Sequence, residues 1–192
     1  MKKLLFLLPF LFSISLYGQY KDASKFYLDA DVGMSMPVVG TYLRQNASSG
    51  PYIGLNMALR MRPLDVFIGG EFDYLPLYTD GINFFTPHLG LTRRFNMGKM
   101  NFSPTLTAGY TFMRYTLGMY LDPAIPVTNF KEGNVSAGLS LRFIYDVNQM
   151  LHIGLGDSFL HIFDGFGAGP FHPDDSRSTG LNRVYVSVVA DL

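Results

Sequence analysis

Between Tyr52 and Arg62 the chain alternates with a period of two. Ile53, Leu55, Met57, Leu59 and Met61 fall on one parity; Gly54, Asn56, Ala58, Arg60 and Arg62 fall on the other. Successive side chains of a β-strand point to opposite faces, so this stretch carries its large apolar groups on one side, whereas a helix would scatter them round its axis. The same pattern recurs. Phe26 to Met36 sets Phe26, Leu28, Val32, Met34 and Met36 against Tyr27, Asp29, Asp31, Gly33 and Ser35. Leu64 to Tyr78 sets Val66, Ile68, Phe72 and Tyr74 against Asp65, Gly69, Glu71 and Asp73. Further strands are expected at Phe84–Phe95, Asn101–Tyr115, Asn134–Asp146, from Met150 onward, and at the end, where Val184, Val186, Val188, Ala190 and Leu192 oppose Arg183, Tyr185, Ser187 and Asp191.

That makes eight strands, and the connections differ in length. Arg62-Pro63, Asn96–Lys99 and Asp146–Gln149 are tight, while Pro37–Gly50, Leu117–Glu132 and Gly165–Gly180 are long and rich in Gly, Pro, Asn, Asp and Ser; Thr79-Asp80-Gly81 is a turn of intermediate length. A meander with tight turns at one end and long loops at the other is the layout of an eight-stranded antiparallel up-and-down transmembrane β-barrel.

The N-terminus changes the compartment. Lys2 and Lys3 precede an apolar run from Leu4 to Leu16, shorter than the ~20 residues of a spanning helix, and Ser13, Ser15 and Gly18 supply small residues for cleavage. Residues 1–18 are therefore expected to be a signal peptide and 19–192 the barrel domain, exported to the bacterial outer membrane. The chain has no cysteine, which excludes disulfide staples, thiolate chemistry and a lipid-modified cysteine. Lys plus Arg and Asp plus Glu number 15 each; without Lys2 and Lys3 the balance is 13 against 15, a charge of −2 that argues against nucleic acid.

Alternation alone does not say which face is outside. A soluble, lipocalin-like barrel would need an exterior rich in Lys and Glu. Here the polar parity is mostly Gly, Ser, Thr and Asn, suited to a crowded lumen. The aromatics on the apolar parity gather at the strand ends. Phe26, Phe95, Phe102, Phe143 and Tyr145 lie near the tight turns, and Tyr74, Phe85 and Phe112 near the long loops, like two interfacial girdles. The apolar face thus meets lipid. Asp29, Asp31, Arg60, Glu71, Asp73, His88, Arg94 and Arg142 then point inward as a charge network, with Asp29 and Asp31 expected at the height of Arg60. An ion path is the functional alternative, and eight strands leave little room for one.

Signal peptide, eight alternating strands, tight turns at one end and an apolar terminal residue resemble the small outer-membrane β-barrel family of OmpA-type and opacity-type proteins. The resemblance covers nearly the whole mature chain and rests on pattern. It implies insertion by the barrel assembly machinery, although Leu192 stands where the family typically ends in an aromatic residue. It implies a surface-interaction or envelope-integrity role, with outer-membrane lipid and lipopolysaccharide as surroundings and an extracellular protein or glycan as loop ligand. It brings neither catalytic residues nor a cofactor.

The strand after Met150 breaks the rule. Its parity of Leu151, Ile153 and Leu155 would place Asp157 in lipid. A bulge at Gly154 or Gly156 would turn Asp157, Phe159 and His161 inward and send Leu160 and Ile162 to lipid. Asp157, His161 and Asp164 are then the candidate catalytic residues. His161-Ile162-Phe163-Asp164-Gly165 resembles the His-x-Ser-Asn-Ala/Gly stretch of outer-membrane lipid A deacylases, which are also eight-stranded barrels. Phe163 occupies the place of the serine nucleophile and no Glu follows, so an acyl hydrolase here would lack its first step. His88, His152 and His172 show no metal-ligand spacing. Tyr42, Tyr120, Phe130, Phe166 and Phe171 place aromatics in the connections, where a partner would meet them.

Overall fold

Strands of this alternating kind have one face to hide and two edges to pair, and closure into a barrel solves both problems. The computed structural model describes residues 26–39, 44, 47–61, 63–76, 81–115, 130–163 and 178–192. The strands are β1 Phe26–Val39, β2 Gly50–Leu59, β3 Asp65–Pro76, β4 Gly81–Thr92, β5 Phe95–Met97, β6 Met100–Tyr115, β7 Phe130–Asp146, β8 Leu151–Phe163 and β9 Ser178–Asp191. All pairings are antiparallel, and β1 bonds to both β2 and β9, which closes the sheet.

Eight staves result. β4 and β5 both pair with β6 in one register, Thr92 opposite Thr105 and Phe95 opposite Phe102. Between them lies Pro104, which has no N–H to give the ladder; its carbonyl accepts from the Arg93 amide at 3.1 Å and from Thr92 Oγ1 at 3.2 Å. The proline interrupts one stave and does not end it.

Following the pairings from Leu28 through Met57, Ile68, Leu89, Ala108, Ala137, His161 and Gly180 leads back to Val39 on β1. The return lies 39 − 28 = 11 positions along the strand, one of them the extra residue of the bulge between Pro37 and Val39. Such a stagger tilts the staves by roughly 35–45° and leaves an interior only wide enough for side chains.

The apolar parity faces outward on every stave: Val32, Leu55, Ile68, Leu89, Leu106, Leu139, Leu155 and Val186 are all exposed. A continuous band of this kind has no counterpart on a water-soluble surface and matches the hydrocarbon layer of a membrane. Rings meet near both rims. Phe95, Phe102 and Phe143 follow one another at centroid separations of 6.2 and 5.1 Å, and Phe85, Phe112 and Tyr110 at 6.5 and 5.0 Å.

Glycines on the inward parity let rings lie flat across neighbouring staves. A Cβ on Gly90 would fall within the Phe67 ring, and one on Gly156 within the Tyr185 ring.

The expected bulge in β8 is absent. Its register runs without a shift from His152 to Ile162 against β7 and from Leu151 to Phe163 against β9. Asp157 and Phe163 are outward and exposed, Phe159 and His161 are outward and half-buried, and Leu160 and Ile162 are buried in the lumen at 2% and 0% exposure. The reason is cooperative. β8 is laced on both edges, so an extra residue would break two ladders to relieve one carboxylate, whose place on a lipid-facing surface costs less than the ~2–4 kcal/mol of a basic residue at mid-depth. The signal segment 1–18, Asp164, His172 and the aromatics Tyr42, Tyr120, Phe166 and Phe171 lie outside the described residues.

Candidate functional site

The lumen is filled in layers, and every layer is made by residues of the inward parity. Nearest the long loops, Leu75, Ile82, Phe84, Met113, Leu160, Ile162 and Leu181 form an apolar plug, each at 2% exposure or less. These are large residues on the parity that the sequence pattern treats as polar. Because the staves lean, the inward positions of five different strands converge there.

Below the plug lies the first ionic layer. Arg183 Nε and Nη2 donate to the Asp73 carboxylate at 2.8 and 2.6 Å, and Nη1 donates to Glu71 Oε2 at 2.6 Å. The guanidinium lies 4.8 Å from the centre of the Tyr52 ring, and the Tyr52 hydroxyl donates to Glu71 Oε1 at 3.3 Å. Arg183 is 1% exposed and Asp73 0%. Two-pronged Arg–carboxylate pairing of this kind is what makes buried charge tolerable.

The second ionic layer lies deeper. Arg142 of β7 reaches across to Asp29 of β1 and stands 3.7 Å from Asp31. Beside it is a cavity of about 30 Å³, walled by Asp31, Asn56, Glu71, His88, Ser158 and Tyr185 among others. That space accommodates about two waters. His88 bonds the Thr86 carbonyl through Nδ1 at 3.1 Å and Asn56 Oδ1 through Nε2 at 3.0 Å.

A second apolar layer, Tyr27, Ala58, Phe67, Ile144 and Val189, separates this cavity from the tight-turn mouth. At that mouth Arg60 donates to Asp191 at 2.6 Å, and Arg94 Nε stands 3.4 Å from Asp65. His152 meets Asp146 through Nδ1 at 2.7 Å and Asp191 through Nε2 at 3.3 Å. The two carboxylates sit on opposite edges of the imidazole and do not converge on one point. Among the described residues no group of three His, Asp or Glu side chains is arranged to hold a metal.

Each inward charge expected from the alternation faces the lumen, but the partnerships differ. Asp29 and Asp31 lie opposite Asn56 and Gly54, so Arg60, further down β2, is too low to reach them and pairs with Asp191 instead. Arg142 arrives from the far wall. Pairing across a barrel joins staves far apart in sequence, and no local pattern contains that information. Arg183, the best-satisfied cation of the lumen, was visible only as an inward-parity residue.

Of the candidate catalytic residues, Asp157 and His161 are described, and they do not come together. Asp157 and His161 are four positions apart on one straight strand, about 13 Å, and both point away from the lumen. The His161 ring packs edge-on against Phe163 with centroids 4.7 Å apart. Ser158, the hydroxyl residue between them in the chain, points the other way, into the lumen.

Closed, staggered, apolar outside and ionic inside, this is the fold of the small outer-membrane β-barrels. Among solved structures the chain is similar to Neisserial surface protein A, with a TM-score of 0.62 at 12% identity over 90% of this chain and 100% of that one. It is similar to a major outer membrane protein from Thermus thermophilus, with a TM-score of 0.55 at 12% identity over 89% and 100% of the two chains. The N-terminal β-barrel domain of Pseudomonas aeruginosa OprF gives 0.51 at 8% identity over 88% and 99%. No protein-family model and no curated protein sequence matches the chain.

Proposed function

We propose that the protein is a non-enzymatic barrel of the bacterial outer membrane that acts through its extracellular loops, contacting a protein or glycan outside the cell or supporting the envelope. One observation supports this reading: among the described residues two apolar layers close the lumen on either side of the ionic layers, and the cavity between them has room for about two waters. What remains for function is the end that bears the long connections. Loops on a rigid scaffold are where binding residues concentrate, and the loop aromatics of this chain suit contact with a partner. The strand ends that carry those connections leave the barrel at the apolar plug.

The test uses cells making the full chain. Shortening the segments 118–128 and 166–175 should abolish attachment to immobilised protein or glycan surfaces while the barrel still migrates as a compact band on an unboiled gel. Unchanged attachment would sink the loop reading. A lipid-modifying enzyme is the competing class, and lipid A masses answer it: they should be identical with and without the protein, and with His161→Ala. A deacylated species that vanishes in the variant would establish the enzyme instead.

A further inference from the structure

One residue breaks the lipid-facing band at its most sensitive depth. Asp157 is the middle residue of β8, six positions from either end of Leu151–Phe163, and it points outward. Its cross-strand neighbours are Leu141 and Val184. No hydrogen bond or ion pair among the described residues reaches its carboxyl, and Asn182, its diagonal neighbour on β9, does not bond to it. Water is absent at that depth, and ionisable groups placed there are partnered. Among the described residues nothing supplies the partner: the outward residues around it are Leu141, Leu155, Phe159 and Val184.

We propose that a second copy of this chain covers the β8–β9 face, the two barrels being related by a two-fold axis along the membrane normal that passes beside Asp157. Both copies enter the membrane with the same orientation, so a residue near that axis necessarily meets its own counterpart at its own depth. Two facing carboxyls complement each other once one of them carries a proton, because the protonated group donates to the other and neither is left unpaired in hydrocarbon. A partner with no polar group at mid-depth would not satisfy Asp157. The surface allows the approach. β9 presents Val184, Val186, Val188 and Ala190, all short, whereas Phe72 of β3 and Phe85 of β4 stand out on the opposite wall.

The absence of native cysteine makes the test direct. Leu155→Cys and Val184→Cys, on the proposed face, are compared with Ile68→Cys and Leu89→Cys across the barrel, in native membranes treated with a mild oxidant. The first pair should give a disulfide-linked species of twice the chain mass and the second pair none. Adding Asp157→Leu should lower the linked fraction by about fivefold, the worth of one hydrogen bond, while Asp157→Asn, which still donates and accepts, should retain it. Every variant is first checked for the compact unboiled band. Linking from both walls alike, linking only to a different protein, or a dimer indifferent to Asp157→Leu would each overturn the proposal.

Discussion

Removing Arg183 is the sharpest test of how this barrel is held together. Its guanidinium makes three bonds to Asp73 and Glu71 at 2.6–2.8 Å, and all three residues are at least nine-tenths buried. Arg183→Met keeps the bulk of the stem but strands two carboxylates beneath an apolar plug. Breaking a buried pair by removing one partner costs about 3–5 kcal/mol, because an uncompensated charge remains. That is roughly two to almost four decades in the unfolding constant. Replacing the whole group, Arg183→Met with Asp73→Asn and Glu71→Gln, removes the stranded charge and should recover most of the loss. The chain has 12 tyrosines and no tryptophan, so urea unfolding of the barrel in lipid vesicles is followed by tyrosine fluorescence and by the folded band on an unboiled gel. A single variant within about 1 kcal/mol of the parent, a value typical of an exposed pair, would refute the reasoning. So would a triple variant no more stable than the single one.

Gly90→Ala should destabilise by about 1–3 kcal/mol, the range for overpacking, because its new methyl falls within the Phe67 ring; Gly70→Ala, whose methyl meets only the edge of Phe85 at 3.3 Å, should stay within about 0.5 kcal/mol. Urea midpoints of the two, measured side by side, check the contrast. In planar bilayers the protein should give no conductance steps, and Arg142→Gln or Arg60→Gln should not create them, since the apolar layers remain; regular openings in the parent would show that the lumen is not closed. Asp191→Asn takes the negative charge from Arg60's 2.6 Å partner at the tight-turn mouth and leaves one edge of His152 without its carboxylate. Thermal unfolding of Asp191→Asn should therefore fall below that of the parent, by less than Arg183→Met because the mouth is nearer water.

Except in β8 beyond Gly156, the two faces of the staves were legible in the sequence because a strand has a period of two and the lipid side admits little but apolar groups. That constraint acts residue by residue, so Ile53 to Met61 or Val184 to Leu192 declare their side without reference to any neighbour. The strand count, the tight and long ends and the inward direction of Asp29, Asp31, Arg60, Glu71, Asp73, Arg94 and Arg142 followed from the same rule. What fills the lumen did not follow. Whether an inward residue lies in a plug, an ionic layer or a cavity wall depends on which positions of distant staves the stagger brings to one height. Thus Leu75, Phe84 and Leu181 form an apolar seal on the nominally polar parity, Arg142 of β7 answers Asp29 of β1 across the lumen, and Arg60 turns to Asp191. β8 shows the same division from the other side. Its local signal, an Asp on the lipid parity, favoured a bulge, but two continuous ladders outweigh one carboxylate and kept the strand straight. Sequence determined which way most side chains point; closure and stagger of the barrel decided what they meet there and, beyond Gly156 in β8, which way Asp157, Leu160, His161 and Ile162 face.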